Sequence, residues 1–171
     1  NSEANRLLNR GKTVECIDLK SAAGLNRAFE LVRDADVLVE NFAPGVFDRL
    51  GLSAAVVKAA NPRCIYLSMP GFGSSDSGRA ELKAFEAVIM TESGVFADMG
   101  LNRTLMGVNP SYSPLPLAST YAAPIAANAV TAALISRELT GLGDHLEIPL
   151  AACLHDTLIY NAMDLTDVLP A

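Results

Sequence analysis

At 171 residues, half of them apolar, the chain can bury one core of its own; this excludes a disordered segment and does not call for a second domain. A formal net charge of −6 argues against nucleic acid or an anionic membrane surface as partner, and an anionic ligand would need a local group of Lys and Arg. Cys16, Cys64 and Cys153 have no metal-binding spacing and read as buried free thiols in a reducing cytoplasm.

Residues 1–10 are polar and read as a loop or a frayed helix. Residues 13–19 alternate and favour β structure, so they predict a strand. Residues 21–34 carry Leu25, Ala28, Phe29, Leu31 and Val32 at helical spacing behind Ser21 as N-cap. Val37, Leu38 and Val39 form an apolar run that predicts a buried strand of a parallel sheet. The chain then breaks at Glu40, Asn41 and Phe42, turns at Pro44 and Gly45, and enters a short helix that stops at Gly51. Ser53 caps a further helix, which Asn61 and Pro62 end. Residues 64–68 predict another apolar strand. This order implies right-handed crossovers and an α/β, Rossmann-like parallel sheet flanked by helices. In such a sheet ligands bind at the carboxyl ends of the strands.

Residues 70–79 are rich in Gly and Ser and form a loop. Their GFGSSDSG lacks the G-x-G-x-x-G spacing of a nucleotide fingerprint, so a loop near the substrate and a plain connector both fit. Residues 81–92 predict a helix and residues 93–117 irregular chain. Residues 118–140 predict a long helix closed by Gly141 as C-cap. Residues 145–150 predict a strand and residues 151–163 a last helix. No signal peptide opens the chain, and no apolar run reads as long enough to span a bilayer. The Ala-rich stretch at 122–134 contains Pro124, Asn128 and Thr131 and predicts a buried helix instead. Asp144, His145 and Glu147 read as surface residues rather than a convergent metal set, and no metal is expected. Asp156, Asp164 and Asp167 read as solvent-facing. Tyr112 and Tyr121 flank the segment around Ser119, where lining a substrate pocket and packing the core both suit them.

Residues 40–52, ENFAPGVFDRLGL, closely resemble the ENFRPGV-x-x-RLGL signature of the family III CoA-transferases, the group of formyl-CoA transferase and the carnitine CoA-transferases. IDLK at 17–20, NPRCIYLSMPGFG at 61–73 and RELTGLGDHLEIPLAA at 137–152 agree with that family in the same order. The resemblance covers nearly the whole chain. Family members are more than twice as long, which implies that residues 1–171 are the CoA-binding α/β domain of a chain of about 400 residues. An N-terminal βα segment and a large C-terminal part would lie outside it. The resemblance further implies a cytoplasmic enzyme that assembles as an interlocked homodimer.

The implied ligand is coenzyme A, brought as an acyl-CoA substrate, with a carboxylic acid as the second reactant and neither nucleic acid nor membrane as partner. By resemblance, Lys20 and Arg49 match positions that hold CoA phosphates, where cations and backbone amides are needed. Asn41 and Phe42 match the pair along the pantetheine and adenine side. Lys83 matches another lysine of the site, and Arg63 an arginine the family often has. CoA transfer between carboxylates needs a nucleophilic carboxylate that attacks the thioester and forms a mixed anhydride. The family's aspartate for this step corresponds to Ser119. An acylated serine is an ordinary ester, and serine needs a base that neither His145 nor His155 looks placed to supply. Glu86 matches an acidic position near the reacting centre, so the catalytic candidates are Glu86 and Ser119. Ser119 read structurally is a helix N-cap. Two alternatives stay open: a catalytically altered or inactive acyl-CoA-binding homologue, and an α-methylacyl-CoA racemase-like enzyme. The racemase's His and Asp proton carriers would correspond to Phe85 and Ser119.

Overall fold

The computed structural model describes residues 3–98, 107, 109 and 112–158. The elements in chain order are α1 (Glu3–Leu8), α2 (Ala22–Asp34), β1 (Val37–Glu40), α3 (Val46–Arg49), α4 (Ala54–Ala60) and β2 (Ile65–Ser68). They continue with α5 (Glu86–Glu92), α6 (Val95–Asp98), α7 (Leu117–Thr140), β3 (His145–Glu147) and α8 (Leu150–Thr157). The three strands form one parallel sheet in the order β1-β2-β3. Val37 lies opposite Ile65, and Tyr66 opposite His145.

β2 is central, and its alternation divides the core. Cys64 and Tyr66 join Val32 of α2 and Val57 of α4 in one buried cluster. The alternate residues, Ile65 and Leu67, face the other way and are fully buried on the side where α7 contacts β2. There a second cluster gathers Phe72, Ile89, Met90, Val95, Ala118, Ala151 and Leu154. Phe72, Ile89, Met90, Val95 and Leu154 each contribute about 2 kcal/mol by leaving water. Helices on both faces of a parallel sheet are the α/β architecture that the sequence predicts.

The caps are local chemistry. The Ser21 hydroxyl accepts from the Gly24 N–H and starts α2, and Ser53 accepts from the Val56 N–H and starts α4. Gly45 precedes α3 at a φ of +67°, a left-handed conformation that costs glycine nothing. Gly141 closes α7 and donates its N–H to the Arg137 carbonyl. Arg137 is itself buried, and it ties the end of α7 to the sheet. Its guanidinium meets Asp36 Oδ1 at 3.0 Å and donates to the carbonyls of Arg63 and Asp36.

Several sequence expectations need correction. Residues 13–18 form no strand: Val14 is exposed, and a groove lined by Ile17, Leu19, Val37 and Val39 runs between this stretch and β1. A strand is made by a neighbour's backbone as much as by its own pattern, and among the described residues none lies alongside. The segment is tied instead to α2, where Arg27 bonds Glu15 at 2.7 Å. The helix expected at 81–92 begins only at Glu86, because residues 81–85 are pressed against the loop after β2. A Cβ on Gly71 would fall 2.0 Å from the Ala84 Cβ, so this approach requires glycine. Cys16 is exposed, whereas Cys64 and Cys153 are buried as expected.

The fourth correction is α7. At 24 residues it is long and apolar enough to cross a bilayer, and it is not a buried helix throughout. Ala118, Ala122, Ala126, Ala133 and Arg137 form its one buried stripe, while Ile135 and Leu139 are exposed. The short α6 interrupts the stretch expected to be irregular, β3 ends at Glu147, and α8 ends at Thr157. The rest of the last expected helix, with Asp164 and Asp167, lies outside the described residues.

Candidate active site

The carboxyl ends of β1, β2 and β3 open onto a cleft of about 280 Å³. Phe42, Phe47, Tyr66 and Phe72 line it with rings, and His145 enters from β3. Phe42 stacks on Phe47 at 5.3 Å, and Tyr66 meets the His145 ring edge-on at 5.0 Å. The wall is therefore aromatic and suited to a flat or apolar group.

Four carboxylates, Glu40, Asp48, Glu81 and Glu147, also line the cleft. Glu40 ends β1 and accepts from the Phe42 N–H at 2.8 Å. Glu147 ends β3 and accepts from the Ser74 N–H at 2.7 Å. These two acids fold the loops that frame the opening. Burial pushes the Tyr66 phenol well above its ordinary range, and Glu40 and Asp48 add to the effect. Sequence reasoning passed over Glu40 and Tyr66 and read His145 and Glu147 as plain surface residues. For Glu40 and Glu147 the signal available was their position, since each ends a strand where the loops diverge, whereas Tyr66 and His145 lie earlier in β2 and β3 and face the cleft as register partners.

Of the five expected CoA-binding residues, Phe42 alone lines this cleft. Asn41 is exposed where the chain leaves β1. Arg49 is exposed on α3, and its guanidinium folds back over Gly45. Lys20 is exposed in the turn before α2, where its N–H donates to Asp18 Oδ1. Lys83 is exposed in the stretch that leads into α5. None of Lys20, Arg49 and Lys83 enters an ion pair among the described residues, which leaves three cations outside an acidic cleft. Arg63, by contrast, is engaged: it donates to the Gly141 carbonyl and sits 3.5 Å from Glu138.

The loop after β2 is fixed by a charge network. Arg79 pairs with Asp76 at 2.6 Å and with Glu92, and its guanidinium lies over the Phe72 ring at 5.0 Å. Glu92 also meets His155 of α8 at 3.2 Å. This network clamps the Gly/Ser-rich loop to α5 and α8, and Phe72 and Ser74 of the loop line the cleft.

Glu86 and Ser119 are brought together. Glu86 opens α5 and Ser119 lies in the first turn of α7. The Ala118 N–H donates to Glu86 Oε1 at 2.6 Å, and the Ser119 N–H reaches Oε2 at 3.2 Å. The Ser119 hydroxyl donates to Oε2 at 2.5 Å. Ser119 is thus not the N-cap expected of it. The carboxylate of Glu86 does that work from another helix, where the free N–H groups and dipole of a 24-residue helix favour an anion. Phe85, one of the racemase-like positions, is exposed next to Glu86 and carries no proton-transfer group. Tyr112 meets the Phe96 ring at 5.3 Å with the two rings tilted, and Tyr121 is exposed one turn beyond Leu117.

The family model for CoA-transferase family III matches residues 1–166. The chain belongs to this family. Over 167 residues it is 50% identical to the CoA-transferase/lyase DddD of Marinomonas sp. strain MWYL1, covering 98% of this chain and 20% of that one. It is 33% identical over 146 residues to the acetyl-CoA:oxalate CoA-transferase of Acetobacter aceti, covering 82% and 35%. The human alpha-methylacyl-CoA racemase is 34% identical over 142 residues, covering 82% and 36%. Among solved structures, a CAIB/BAIF family protein from Brucella suis superimposes with a TM-score of 0.81 at 30% identity, covering 92% and 40%. The chain thus spans between a fifth and two fifths of the length of these relatives. Ser119, the position that the resemblance matches to the acyl-carrying aspartate, has the Glu86 carboxylate of α5 against it.

Proposed function

We propose that these residues form the acyl-CoA-binding part of an enzyme that transfers CoA from an acyl-CoA to a carboxylic acid. The observation that carries the reading is the Glu86 carboxylate seated on the first turn of α7, against Ser119. Glu86 Oε2 attacks the thioester carbonyl, the C–S bond breaks, and CoA leaves as the thiolate. Oε1, held by the Ala118 N–H, remains the carbonyl oxygen of the mixed anhydride and is polarised for the next step. The thiolate attacks the Glu86 carbonyl and expels the first acid, leaving CoA as a thioester on Glu86. The acceptor carboxylate then displaces the thiolate, which attacks the acceptor's acyl carbon. New acyl-CoA forms and Glu86 is regenerated.

Phe42, with Asn41 beside it, takes the pantetheine and adenine side, and Lys20, Arg49 and Lys83 take the phosphates from outside the cleft. The four acids of the cleft support this division, because they repel phosphate from its interior. No step asks for a metal. The exposed apolar face of α7 supports a homodimer of the whole chain, and the buried free thiols of Cys64 and Cys153 suit the cytoplasm.

The test is to mix the whole protein with acyl-CoA, trap with hydroxylamine or borohydride, and map the modified peptide. The expected result is an adduct on Glu86 that Glu86→Gln abolishes, with transfer falling at least about a hundredfold. Glutamine keeps an acceptor for the Ala118 N–H, so the loss is chemical rather than structural. Transfer that continues without modification of Glu86 overturns the assignment.

A further inference from the structure

A serine at the position of the expected nucleophile lacks, in the sequence, a base to activate it. The structure supplies one. The Ser119 hydroxyl points its proton at Glu86 Oε2 over 2.5 Å, which is the geometry of a nucleophile and its general base. The base is in turn held by a third group, the Ala118 N–H on Oε1. Ser119 is exposed, so water can reach an acyl group carried there. The Ser119 N–H, spread over both carboxylate oxygens at 3.2 and 3.4 Å, is the more weakly held of the two N–H groups on Glu86.

We propose that the Ser119–Glu86 pair gives this protein a second activity, hydrolysis of acyl-CoA through an acyl ester on Ser119. The proposal rests on the reading that acyl-CoA binds at this site. Transfer and hydrolysis share the bound thioester and diverge at the attacking oxygen. Glu86 takes the Ser119 proton as Oγ bonds the acyl carbon. The C–S bond breaks, and the proton passes from Glu86 to the departing sulfur, releasing CoA with a free thiol. An oxygen ester on serine lacks the reactivity of an anhydride and does not return its acyl group readily to CoA. Water attacks instead, Glu86 takes one of its protons and returns it to Oγ, and a free carboxylic acid leaves. The sum is thioester plus water giving acid plus thiol, with no further reactant.

The whole protein is incubated with acetyl-CoA, and separately with octanoyl-CoA, without an acceptor acid. Thiol release is followed, and quenched samples are mapped by mass spectrometry. The inference expects release that continues beyond one equivalent, with an acyl group on the Ser119 peptide that survives neutral hydroxylamine and yields to alkaline hydroxylamine. Ser119→Ala lowers release by at least about a hundredfold, and Ser119→Thr, which keeps a hydroxyl, restores part of it. If CoA transfer to an added acid proceeds while Ser119 is never acylated and Ser119→Ala releases thiol at the wild-type rate, this inference fails and the transfer reading stands. If wild type shows neither transfer nor release with either thioester, both fail.

Discussion

Tyr66 is the residue through which the cleft reports on pH. Its phenol is buried, and Glu40 and Asp48 make its ionised form still less favourable. The folded pKa is raised above the ordinary value of 10.0, so the contribution of the neutral phenol is complete below that pH and is lost as pH climbs through the folded value. An alkaline absorbance titration is expected to show a late phenolate component that disappears in Tyr66→Phe. A variant curve that superimposes on wild type contradicts the placement of Tyr66. At this scale the sequence was partly legible. Phe42 is identifiable because it sits in a long family motif, whereas Glu86 and Ser119 lie outside the four motifs and were singled out by matched position alone. The bond between Glu86 and Ser119 is not identifiable, because it joins residues 33 apart through the packing of α5 on α7. Cys16 misled for a related reason: its apolar neighbours suggested burial, but its own side of the segment is exposed.

Among the elements, α7 does the most to organise the site, since its first turn holds Glu86 and its last turn holds the sheet. Arg137 supplies the second anchor. Truncation to Arg137→Ala removes its ion pair with Asp36 and leaves the carbonyls of Arg63 and Asp36 without their guanidinium donor. Asp36 is largely exposed and its carboxylate rehydrates, so most of the cost falls on the lost hydrogen bonds. The expected destabilisation is about 2 kcal/mol, read as a lower urea midpoint at unchanged slope. An unchanged midpoint contradicts the anchor. Helices and strands with their own caps and apolar runs, such as α2, α4, β1 and β2, were legible because their signals are local. Residues 13–19 carry the alternation of a strand but no neighbouring backbone to pair with, and residues 81–85 are kept from helix by the contact of Gly71 with Ala84. Both outcomes are set by tertiary neighbours, which a linear pattern does not encode.

For the molecule as a whole, net charge and site charge point in different directions. A chain of −6 with an acidic cleft is a poor host for a nucleotide unless the phosphates stay at the rim with Lys20, Arg49 and Lys83. Binding that depends on exposed cations weakens with salt, and binding that depends on the Phe42 wall does not. The family was legible from four motifs spread along the chain, and so was the parallel sheet they belong to. The depth and acidity of the cleft were not, because they arise where three strand ends meet. The most direct measurement is a calorimetric titration of the whole protein with CoA. The account predicts a saturable heat, with affinity lowered at least about tenfold in each of Phe42→Ala and Arg49→Ala. No heat from wild type with CoA or its thioesters, or equal affinities in all three proteins, would contradict it.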